Sequence, residues 1–339
     1  MINRQTLNQD DSHTVTVVIP TFRRSSYLSD AINSLKEQTL TPSKMHILVV
    51  DNNPTRQEEH LVQDLSEQFL NKIQYIHEAK AGLSNARNAA MAAVRTRYVA
   101  FLDDDMIASP TWLKALLHTS QNLSAGIVFG PNHAKLPNPT HPQSDYMAAF
   151  FSRRLNLSDE TFLETTHGAG GCLLDLELCE LPNPVFDPNL NSRGGEDDIL
   201  FDKLMCRGTL AAWSPDAICY EVVSPQRANE NYITARSFGY GQGPTRICAN
   251  RGVRGLPGIV YFMMAGSAQL ALYSPLYFWS RMRKQPVSLH YKSRLSQALG
   301  KIFWGDRFSL NLYAQTCKSS ANIALDESHP QNTYKVGSV

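Results

Sequence analysis

The sequence is poor in cysteine and lacks an apolar stretch at its start. Six of the 339 residues are cysteines, and no two are spaced C-x-x-C. Disulfide scaffolds are short and dense in cysteine, so that class is excluded and small buried thiols are expected. Residues 1–11 are polar and hold no hydrophobic segment of a secretory signal peptide. We therefore expect a reducing, cytoplasmic compartment.

Acidic residues are missing from residues 231–305, which hold ten basic residues. Residues 1–230 have the opposite bias, with 28 acidic and 19 basic residues, and the formal net charge of the chain is only +1. This near-neutrality argues against nucleic acid as a partner, because nucleic-acid-binding proteins usually carry a basic domain. The 42% of hydrophobic residues exclude a disordered chain. The opposite charge biases predict two parts with different tasks.

Short β-branched runs alternate with helical patterns in the first third of the chain. The pattern predicts strands over 14–20, 45–50, 73–76 and 98–102, and helices over 26–38, 57–70 and 82–96. This alternation is typical of βαβ units and predicts a parallel, doubly wound sheet flanked by helices. Ligands of such sheets bind at the carboxyl ends of the strands.

The common glycine-rich phosphate-binding motifs are absent from those strand ends. The first strand is followed by Pro20-Thr-Phe-Arg, which offers neither G-x-G-x-x-G nor a P-loop. The glycine-rich segment 239–243 follows no clear strand and predicts a flexible turn. A bound nucleotide must therefore be held by other groups.

Three consecutive aspartates, Asp103 to Asp105, follow the fourth predicted strand. Like charges this close resist joint ionisation, whereas Mg²⁺ or Mn²⁺ relieves the repulsion and binds substrate phosphates. The alternative is that the aspartates cap the helix that begins near Ser109. A cap needs only one aspartate, and Ser109 with Pro110 already supplies a start signal. A metal–diphosphate site is therefore the favoured hypothesis.

A second acidic cluster, Glu196-Asp-Asp198, follows two glycines and opens an apolar helical pattern. Carboxylates in a first helical turn interact favourably with the helix dipole. They could also serve as the general base that takes a proton from an attacking hydroxyl. One cluster for a metal and one for a base would suit transfer chemistry on a phosphate-activated substrate.

Five segments in order resemble the family 2 glycosyltransferases, inverting enzymes with a glycosyltransferase A (GT-A) fold. These segments are residues 17–24, 48–53, 82–88, 101–105 and 186–197, and the likeness covers about residues 14–240. The resemblance implies a Rossmann-like, mostly parallel sheet flanked by helices. It also implies a nucleotide-sugar donor, expected to be UDP-linked, a glycan or lipid-linked acceptor, and a divalent metal, magnesium or manganese.

The resemblance further implies roles for individual residues. Those implied for the nucleotide are Pro20, Thr21, Phe22, Arg24, Asp51, Arg87 and Asp103. Those implied for the metal are Asp103 and Asp105, while Asp104 occupies a variable position and either orients its neighbours or points to solvent. Asp197 matches the catalytic base, with Glu196 beside it to orient the acceptor, and Asp198 is a second candidate base. Many members carry a histidine after the base-bearing helix, whereas Glu221 stands at about that place here.

Residues 255–280 form an uncharged run of 26 residues, 17 of them apolar, with arginines on both sides. A membrane span needs about 20 predominantly apolar residues, but Pro257, Pro275 and Gln269 weaken one here. Basic flanks on both sides also give no orientation. An interfacial or re-entrant segment on an anionic membrane surface is favoured, at the cytoplasmic face of the cell membrane. A true span and a buried helix pair are the alternatives.

The predicted organisation has five parts. They are a polar N-terminal extension (1–13), a nucleotide-sugar-binding half (14–130), an acceptor-binding and catalytic-base half (131–240), a basic and apolar helical membrane-associating segment (241–305) and a polar tail (306–339). Two other functions stay open. A haloacid-dehalogenase-like phosphatase also uses Asp-x-Asp, although after its first core strand. A non-catalytic sugar-nucleotide or glycan-binding module would not need Asp197.

Overall fold

The computed structural model describes residues 15–69, 73–191 and 194–308, which form an α/β part followed by three long helices. The strands are β1 (Val15–Thr21), β2 (Met45–Asp51), β3 (Ile73–His77), β4 (Tyr98–Phe101), β5 (Met106–Ala108), β6 (Ile127–Phe129), β7 (Asn132–Lys135), β8 (Thr161–Leu163), β9 (Cys172–Asp175), β10 (Ala211–Trp213) and β11 (Cys219–Val222). The helices are α1 (Ser25–Ser34), α2 (Glu59–Glu67), α3 (Leu83–Ala93), α4 (Trp112–Leu123), α5 (Ser144–Phe151), α6 (Glu196–Cys206), α7 (Glu230–Asn250), α8 (Leu256–Met282) and α9 (Ser288–Ile302). The predicted N-terminal extension and most of the predicted tail lie outside the described residues.

Eight strands form one mixed sheet in the order β3-β2-β1-β4-β9-β6-β10-β8. The first four strands of this order pair in parallel, as do β6 and β10. Strand β9 is antiparallel to both β4 and β6, and β8 is antiparallel to β10. The mostly parallel sheet flanked by helices is confirmed, and the antiparallel insertion of β9 is a feature that the sequence pattern did not predict.

The central strands are buried on both faces, which is why they read as continuous apolar runs. All seven residues of β1 are buried, as are six of the seven in β2. Alternate side chains enter opposite cores, because successive residues of a strand point to opposite faces. Val17 and Ile19 belong to one hydrophobic cluster, and Val18 belongs to the other.

The predicted elements of the first hundred residues are confirmed, with shifted ends. The strand predicted over 14–20 is observed as Val15–Thr21. The helix predicted over 26–38 becomes a short 3₁₀ turn after Ser34, and the one predicted over 82–96 ends at Ala93. Helix ends carry unpaired backbone groups, so they fray or tighten in ways that apolar spacing does not determine.

A second sheet of three short strands, in the order β5-β11-β7, lies beside the first and was not predicted. Strand β11 pairs antiparallel with β5, so that Glu221 faces Met106 in register. The backbone N–H of Val222 donates to the carbonyl oxygen of Asp105 at 2.8 Å. This pairing joins the segment after α6 to the end of the aspartate triplet.

The C-terminal part corrects two expectations. Residues 239–243 lie inside the continuous helix α7 and not in a turn, and α7 also runs through the predicted boundary at 240/241. Packing explains why position 241 is a glycine, because a Cβ atom on Gly241 would overlap the carbonyl oxygen of Gln297 in α9. The contact between the Ser237 and Ser293 hydroxyls at 2.6 Å shows the same close approach.

Helix α8 is not the buried helix that one alternative required. Within the described residues, one stretch, Gly252–Met282, is long and apolar enough to cross a membrane by length and composition, and only 11% of its apolar window is buried. The cysteine prediction is also only partly right. Cys172, Cys179 and Cys219 are buried free thiols, whereas Cys206 is exposed.

Two glycines in α7 provide a matched test of the close helix crossing. Replacing Gly241 with alanine forces α7 and α9 apart, so we expect the free energy of unfolding to fall by about 1–3 kcal/mol. Gly243→Ala meets no heavy atom within 4 Å and should raise stability by up to about 1 kcal/mol through helix propensity. Thermal and denaturant unfolding measure both, and equal stability of the two variants would contradict the crossing.

Candidate active site

The predicted site residues gather at one edge of the main sheet. Strands β1, β2 and β4 are parallel neighbours, so their carboxyl ends, at Thr21, Asp51 and Phe101, lie along the same edge. The aspartate triplet follows β4 directly, and the N-terminus of α6 approaches the same edge. Polar chemistry is therefore concentrated where a doubly wound sheet binds its ligands.

Arg87 on α3 lies beneath this edge and joins the two acidic clusters. Its side chain is only 2% exposed, and Nη1 donates to Glu196 Oε1 at 2.7 Å. Nη2 donates to Asp103 Oδ1 at 3.3 Å, and Nη1 lies 3.9 Å from Asp197 Oδ2. The rings of Phe101 and Phe186 lie 5.8 and 5.6 Å from the guanidinium. One buried cation thus holds the predicted metal cluster and the predicted base together.

Asp197 is held by backbone groups and faces the solvent-accessible side of the site. Helix α6 begins after Gly194 and Gly195, whose φ angles of 72° and 83° favour glycine. Asp197 Oδ2 accepts from the backbone N–H of Ala169 at 2.9 Å, and Oδ1 accepts from that of Asp198 at 3.0 Å. The side chain is 17% exposed. Its position is therefore fixed while part of the carboxylate stays accessible.

The two acidic neighbours of Asp197 differ from it. Glu196 is 3% exposed, and its carboxylate points to Arg87. Burial raises the pKa of Glu196 to about 7, Asp197 adds to the rise and Arg87 opposes it. Burial likewise raises the pKa of Asp198 to about 7, with Asp197 and Glu196 adding to it. The geometry makes Glu196 a group that positions Arg87.

Asp104 is an internal residue and does not point to solvent. Its side chain is 7% exposed, and it accepts from Arg24 Nη1 at 2.9 Å and from the Thr21 hydroxyl at 3.0 Å. Burial raises the pKa of Asp104 to about 6, while Arg24 opposes the rise. Arg24 Nη1 also donates to Asp105 Oδ2 at 3.0 Å. Arg24 and Thr21 thus tie the end of β1 to the aspartate triplet.

Arg227, which precedes α7, is a site residue that sequence reasoning missed. Its Nη1 donates to Asp105 Oδ2 at 2.8 Å, and its Nη2 donates to Glu221 Oε1 at 2.6 Å. The other carboxylate oxygen of Glu221 accepts from Asn132 Nδ2 at 3.0 Å. Both Glu221 oxygens therefore have protein partners, and this residue positions Arg227. A lone arginine before a helix matches no motif, so the sequence carried no signal for it.

A second missed residue, Arg153, fixes the glycine-rich loop 168–171. It donates to the carbonyl oxygens of Gly130, Gly168 and Gly170, each at 2.8 Å. A Cβ atom on Gly170 would overlap a carboxylate oxygen of Asp103. The loop therefore needs glycine to pass beside Asp103 and to bring the Ala169 N–H to the base.

The donor set fits a divalent cation that arrives with a diphosphate. Asp103 and Asp105 offer carboxylate oxygens, and the Asp103 side chain is 37% exposed. The described ranges contain no group of three or more His, Cys, Asp or Glu side chains placed to hold a metal. Magnesium is commonly bound by one or two carboxylates with substrate phosphates completing the shell. Two aspartates therefore suit a metal shared with a nucleotide.

Asp51 lies at the end of β2 but is turned inward. It is completely buried, Oδ1 accepts from the Asn53 N–H, and Oδ2 accepts from the Glu58 N–H and the Tyr75 hydroxyl. The carboxylate thereby shapes the loop that follows β2. The role at the nucleotide that the family resemblance implies for Asp51 stays a prediction.

The residues at the end of β1, in the segment 17–24, lie partly in the core and partly at the surface. Pro20 and Thr21 are buried residues of β1, whereas Phe22 is half-buried beside Arg23, whose guanidinium lies 5.3 Å from the ring. Arg23 has a φ of 55° and donates to Asn53 Oδ1 at 3.3 Å. This turn links the ends of β1 and β2, and Phe22 is its accessible apolar group.

Comparison with known proteins supports one family. Residues 16–174, just under half of the chain, match the model of Glycosyl transferase family 2. This match supports a family 2 glycosyltransferase. The succinoglycan biosynthesis protein ExoM of Rhizobium meliloti (strain 1021) is 29% identical over 238 residues, which are 70% of this chain and 76% of that protein. The chain is therefore a glycosyltransferase, and the strand ends described above are its candidate active site.

Solved structures of glycosyltransferases confirm the fold. Mannosyltransferase PcManGT from Pyrobaculum calidifontis, in complex with GDP-Man and Mn²⁺, has a TM-score of 0.53 at 18% identity, over 86% of this chain and 88% of that one. S. aureus TarS has a TM-score of 0.50 at 15% identity, over 84% of this chain. The chain spans only 55% of the TarS chain. The chain thus has the expected GT-A-type fold.

The buried pair of Arg87 and Glu196 predicts a large loss of stability when one partner is removed. Arg87→Met leaves a buried carboxylate without its cation, so the free energy of unfolding should fall by about 3–5 kcal/mol. Adding Glu196→Gln should recover part of this loss. Arg56→Met, which breaks an exposed pair with Glu59, should change stability by less than about 1 kcal/mol. Similar losses for the two single variants, measured by denaturant unfolding, would contradict the pairing.

Proposed function

We propose that this protein moves a sugar from a nucleotide-sugar donor, UDP-linked, to a hydroxyl of a glycan or lipid-linked acceptor, with inversion at the anomeric carbon. The observation that supports it is the placement of Asp103 and Asp197 on the two nitrogens of one buried guanidinium, Arg87. In the proposal Asp103 serves the donor diphosphate and Asp197 serves the acceptor, and their shared contact with Arg87 supports a reaction between the two. The GDP-Man and Mn²⁺ held by PcManGT support a donor of this class.

Asp197 acts as the general base in this proposal. Its carboxylate takes the proton of the acceptor hydroxyl while that oxygen forms a bond to the anomeric carbon. The bond from the anomeric carbon to the donor phosphate oxygen breaks on the opposite face, and the nucleoside diphosphate leaves with the electron pair. The two backbone N–H groups on Asp197 hold its oxygens in place for this step.

The donor diphosphate is assigned to Asp103, Asp105 and the two arginines on Asp105. Asp103 and Asp105 would hold a divalent cation, Mg²⁺ or Mn²⁺, which would supply positive charge against the charge that develops on the leaving diphosphate. Arg24 and Arg227 both donate to Asp105 Oδ2, and their planar forks suit phosphate oxygens. In the proposal these arginines turn from Asp105 toward the diphosphate when the donor binds.

The nucleoside is assigned to the loops after β1 and β2. Phe22 supplies an accessible ring, while Pro20, Thr21 and Asp51 shape the pocket from below. Glu196 acts through Arg87 and is therefore a positioning residue. In this assignment the predicted site residues all belong to one site, and the buried ones among them have a structural role.

In the proposal the acceptor is a molecule used in polysaccharide or glycoconjugate synthesis. The reaction takes place at the cytoplasmic face of the cell membrane. ExoM is named for succinoglycan biosynthesis, which supports a glycan as the growing acceptor. The basic, apolar C-terminal helices support a membrane as a further partner. Nucleic acid is not proposed as a partner.

The two alternative functions receive less support. The Asp-x-Asp of a haloacid-dehalogenase-like phosphatase follows the first core strand, whereas β4 is the fourth described strand along this chain. A binding module would not need a carboxylate fixed by two backbone N–H groups and left partly exposed, as Asp197 is.

A donor screen tests the proposed function. UDP-sugars, GDP-sugars and phosphate monoesters are each offered with Mn²⁺ and with EDTA, and both hydrolysis and thermal stabilisation are measured. We expect a UDP-sugar with Mn²⁺ to stabilise the protein by about 2.7 kcal/mol at 100 times Kd, and Asp105→Asn to lose the Mn²⁺-dependent part. Hydrolysis of phosphate monoesters without any response to nucleotide sugars would favour the phosphatase.

The assignment of the base is tested by two neighbouring substitutions. Asp197→Asn should lower kcat for transfer by about 10²–10⁴-fold, because the acceptor proton has no base to receive it, while donor binding is retained. Asp198→Asn should keep most of the activity. The reverse result would make Asp198 the base, and full activity of both variants would refute a carboxylate base on α6.

A further inference from the structure

Helix α8 presents an apolar face to the outside of the described structure. Its 27 residues span about 40 Å, and residues 255–280 carry no charge. The large exposed apolar side chains on it are Leu256, Val260, Tyr261, Met263, Met264, Leu272, Leu276, Phe278, Trp279 and Met282. At 100° per residue they occupy an arc of about 220°, and Gly266 and Gln269 lie in the remaining arc. Such a continuous exposed strip marks an interaction surface.

The opposite face of α8 packs inward on α9 and mixes small, polar and apolar residues. A Cβ atom on Gly266 would lie 2.8 Å from the Ala298 carbonyl oxygen. Lys301 Nζ donates to Gln269 Oε1 at 3.0 Å. The Tyr273 ring lies 6.4 Å from the ring of His290. The helix therefore packs one side on α9 and leaves most of its large apolar side chains outside, unlike a helix of a water-soluble protein.

Basic residues lie at both ends of the apolar face of α8. Arg254 precedes α8, beside Arg251, which is paired with Asp202 at 2.6 Å. Arg281, Arg283 and Lys284 lie at the end of α8. The Arg283 guanidinium lies 4.2 Å from the centre of the Trp279 ring, which places a cation and an aromatic side chain at one edge of the apolar strip. Residues 231–305 hold ten basic and no acidic residues. An apolar strip between basic ends complements an anionic lipid surface.

We propose that α8 lies in the plane of one leaflet of an anionic membrane and does not cross it. The middle of α8 is where Gln269 meets Lys301 of α9. A crossing helix would carry this ammonium group to the centre of the bilayer, where charged groups are costly. Lying flat, α8 buries its apolar side while α9 stays on the water side. Both basic ends then reach the headgroups of the same leaflet, which accounts for basic flanks on both sides.

This inference rests on the proposed function for the membrane as a partner, and it specifies how the protein binds that membrane. The observations that support it come from α8 and α9 alone. No residue of the candidate active site takes part in it. Binding to vesicles should therefore need neither donor nor metal, and Asp197→Asn should bind vesicles like the unchanged protein. A failure of transfer with normal vesicle binding would count against the proposed reaction only. Normal transfer with a failure of vesicle binding would count against the proposed surface only.

Flotation of the full chain with lipid vesicles tests the surface. We expect binding to vesicles that contain phosphatidylglycerol, and much weaker binding to pure phosphatidylcholine. The double variant Leu272→Gln with Phe278→Gln should lower the bound fraction at least about tenfold, since each removes exposed apolar area. The control Phe162→Gln with Leu210→Gln changes two equally apolar side chains, each 51% exposed, on the other part of the protein, and should bind normally.

The depth of introduced tryptophans distinguishes a lying helix from a crossing helix. In a Trp279→Phe background, Met264→Trp, Leu272→Trp and Phe278→Trp are compared by quenching with lipids brominated at known depths. The quenching of the background itself, which keeps Trp112, Trp213 and Trp304, is measured and subtracted. The proposal expects one shallow depth for all three positions. A deepest position at 272, with shallower ends, would show a crossing helix and overturn the proposal. So would a stable dimer that protects these positions and does not bind vesicles.

Discussion

The candidate active site depends on a single buried cation. Arg87 is almost completely buried, yet three carboxylates from two distant segments lie within 4 Å of it. Three negative groups this close would repel one another and resist ionisation without a positive charge among them. Arg87 offsets that repulsion and fixes where Asp103 and Asp197 stand. The rings of Phe101 and Phe186, which contact each other edge to face, pack together against the guanidinium and help to hold it in place.

Much of the fold and of the site was predictable because it rests on local patterns. The βαβ alternation, the aspartate triplet after β4 and the acidic start of α6 are each short segments whose spacing carries physical meaning. The buried state of Asp51 and Asp104 was not predictable, because the sequence does not show which strand end turns inward. One partner of each comes from another strand, Tyr75 for Asp51 and Thr21 for Asp104, and only the assembled sheet shows these contacts.

Contacts between short, distant elements could not be predicted. Arg227 and Asp105 are 122 residues apart and meet because β11 joins the three-residue strand β5. Such short strands carry too few residues for a periodic pattern. The glycines of α7 were misinterpreted for a related reason, since glycine marks a turn in isolation but also permits close helix packing. Gly241 serves the second purpose, and only α9 makes that visible.

The antiparallel direction of β9 changes which chemical groups reach this edge of the sheet. Parallel strands end at this edge and deliver side chains there, whereas β9 begins at it. The loop before β9 therefore brings main-chain atoms to the same place, and the Gly171 N–H bonds the Phe101 carbonyl oxygen at 2.8 Å. Within that loop the Ala169 N–H reaches Asp197. The reversed strand adds main-chain hydrogen-bond donors to an edge where the parallel strands deliver carboxylates, and Gly170 lets the loop pass close enough to Asp103 to supply them.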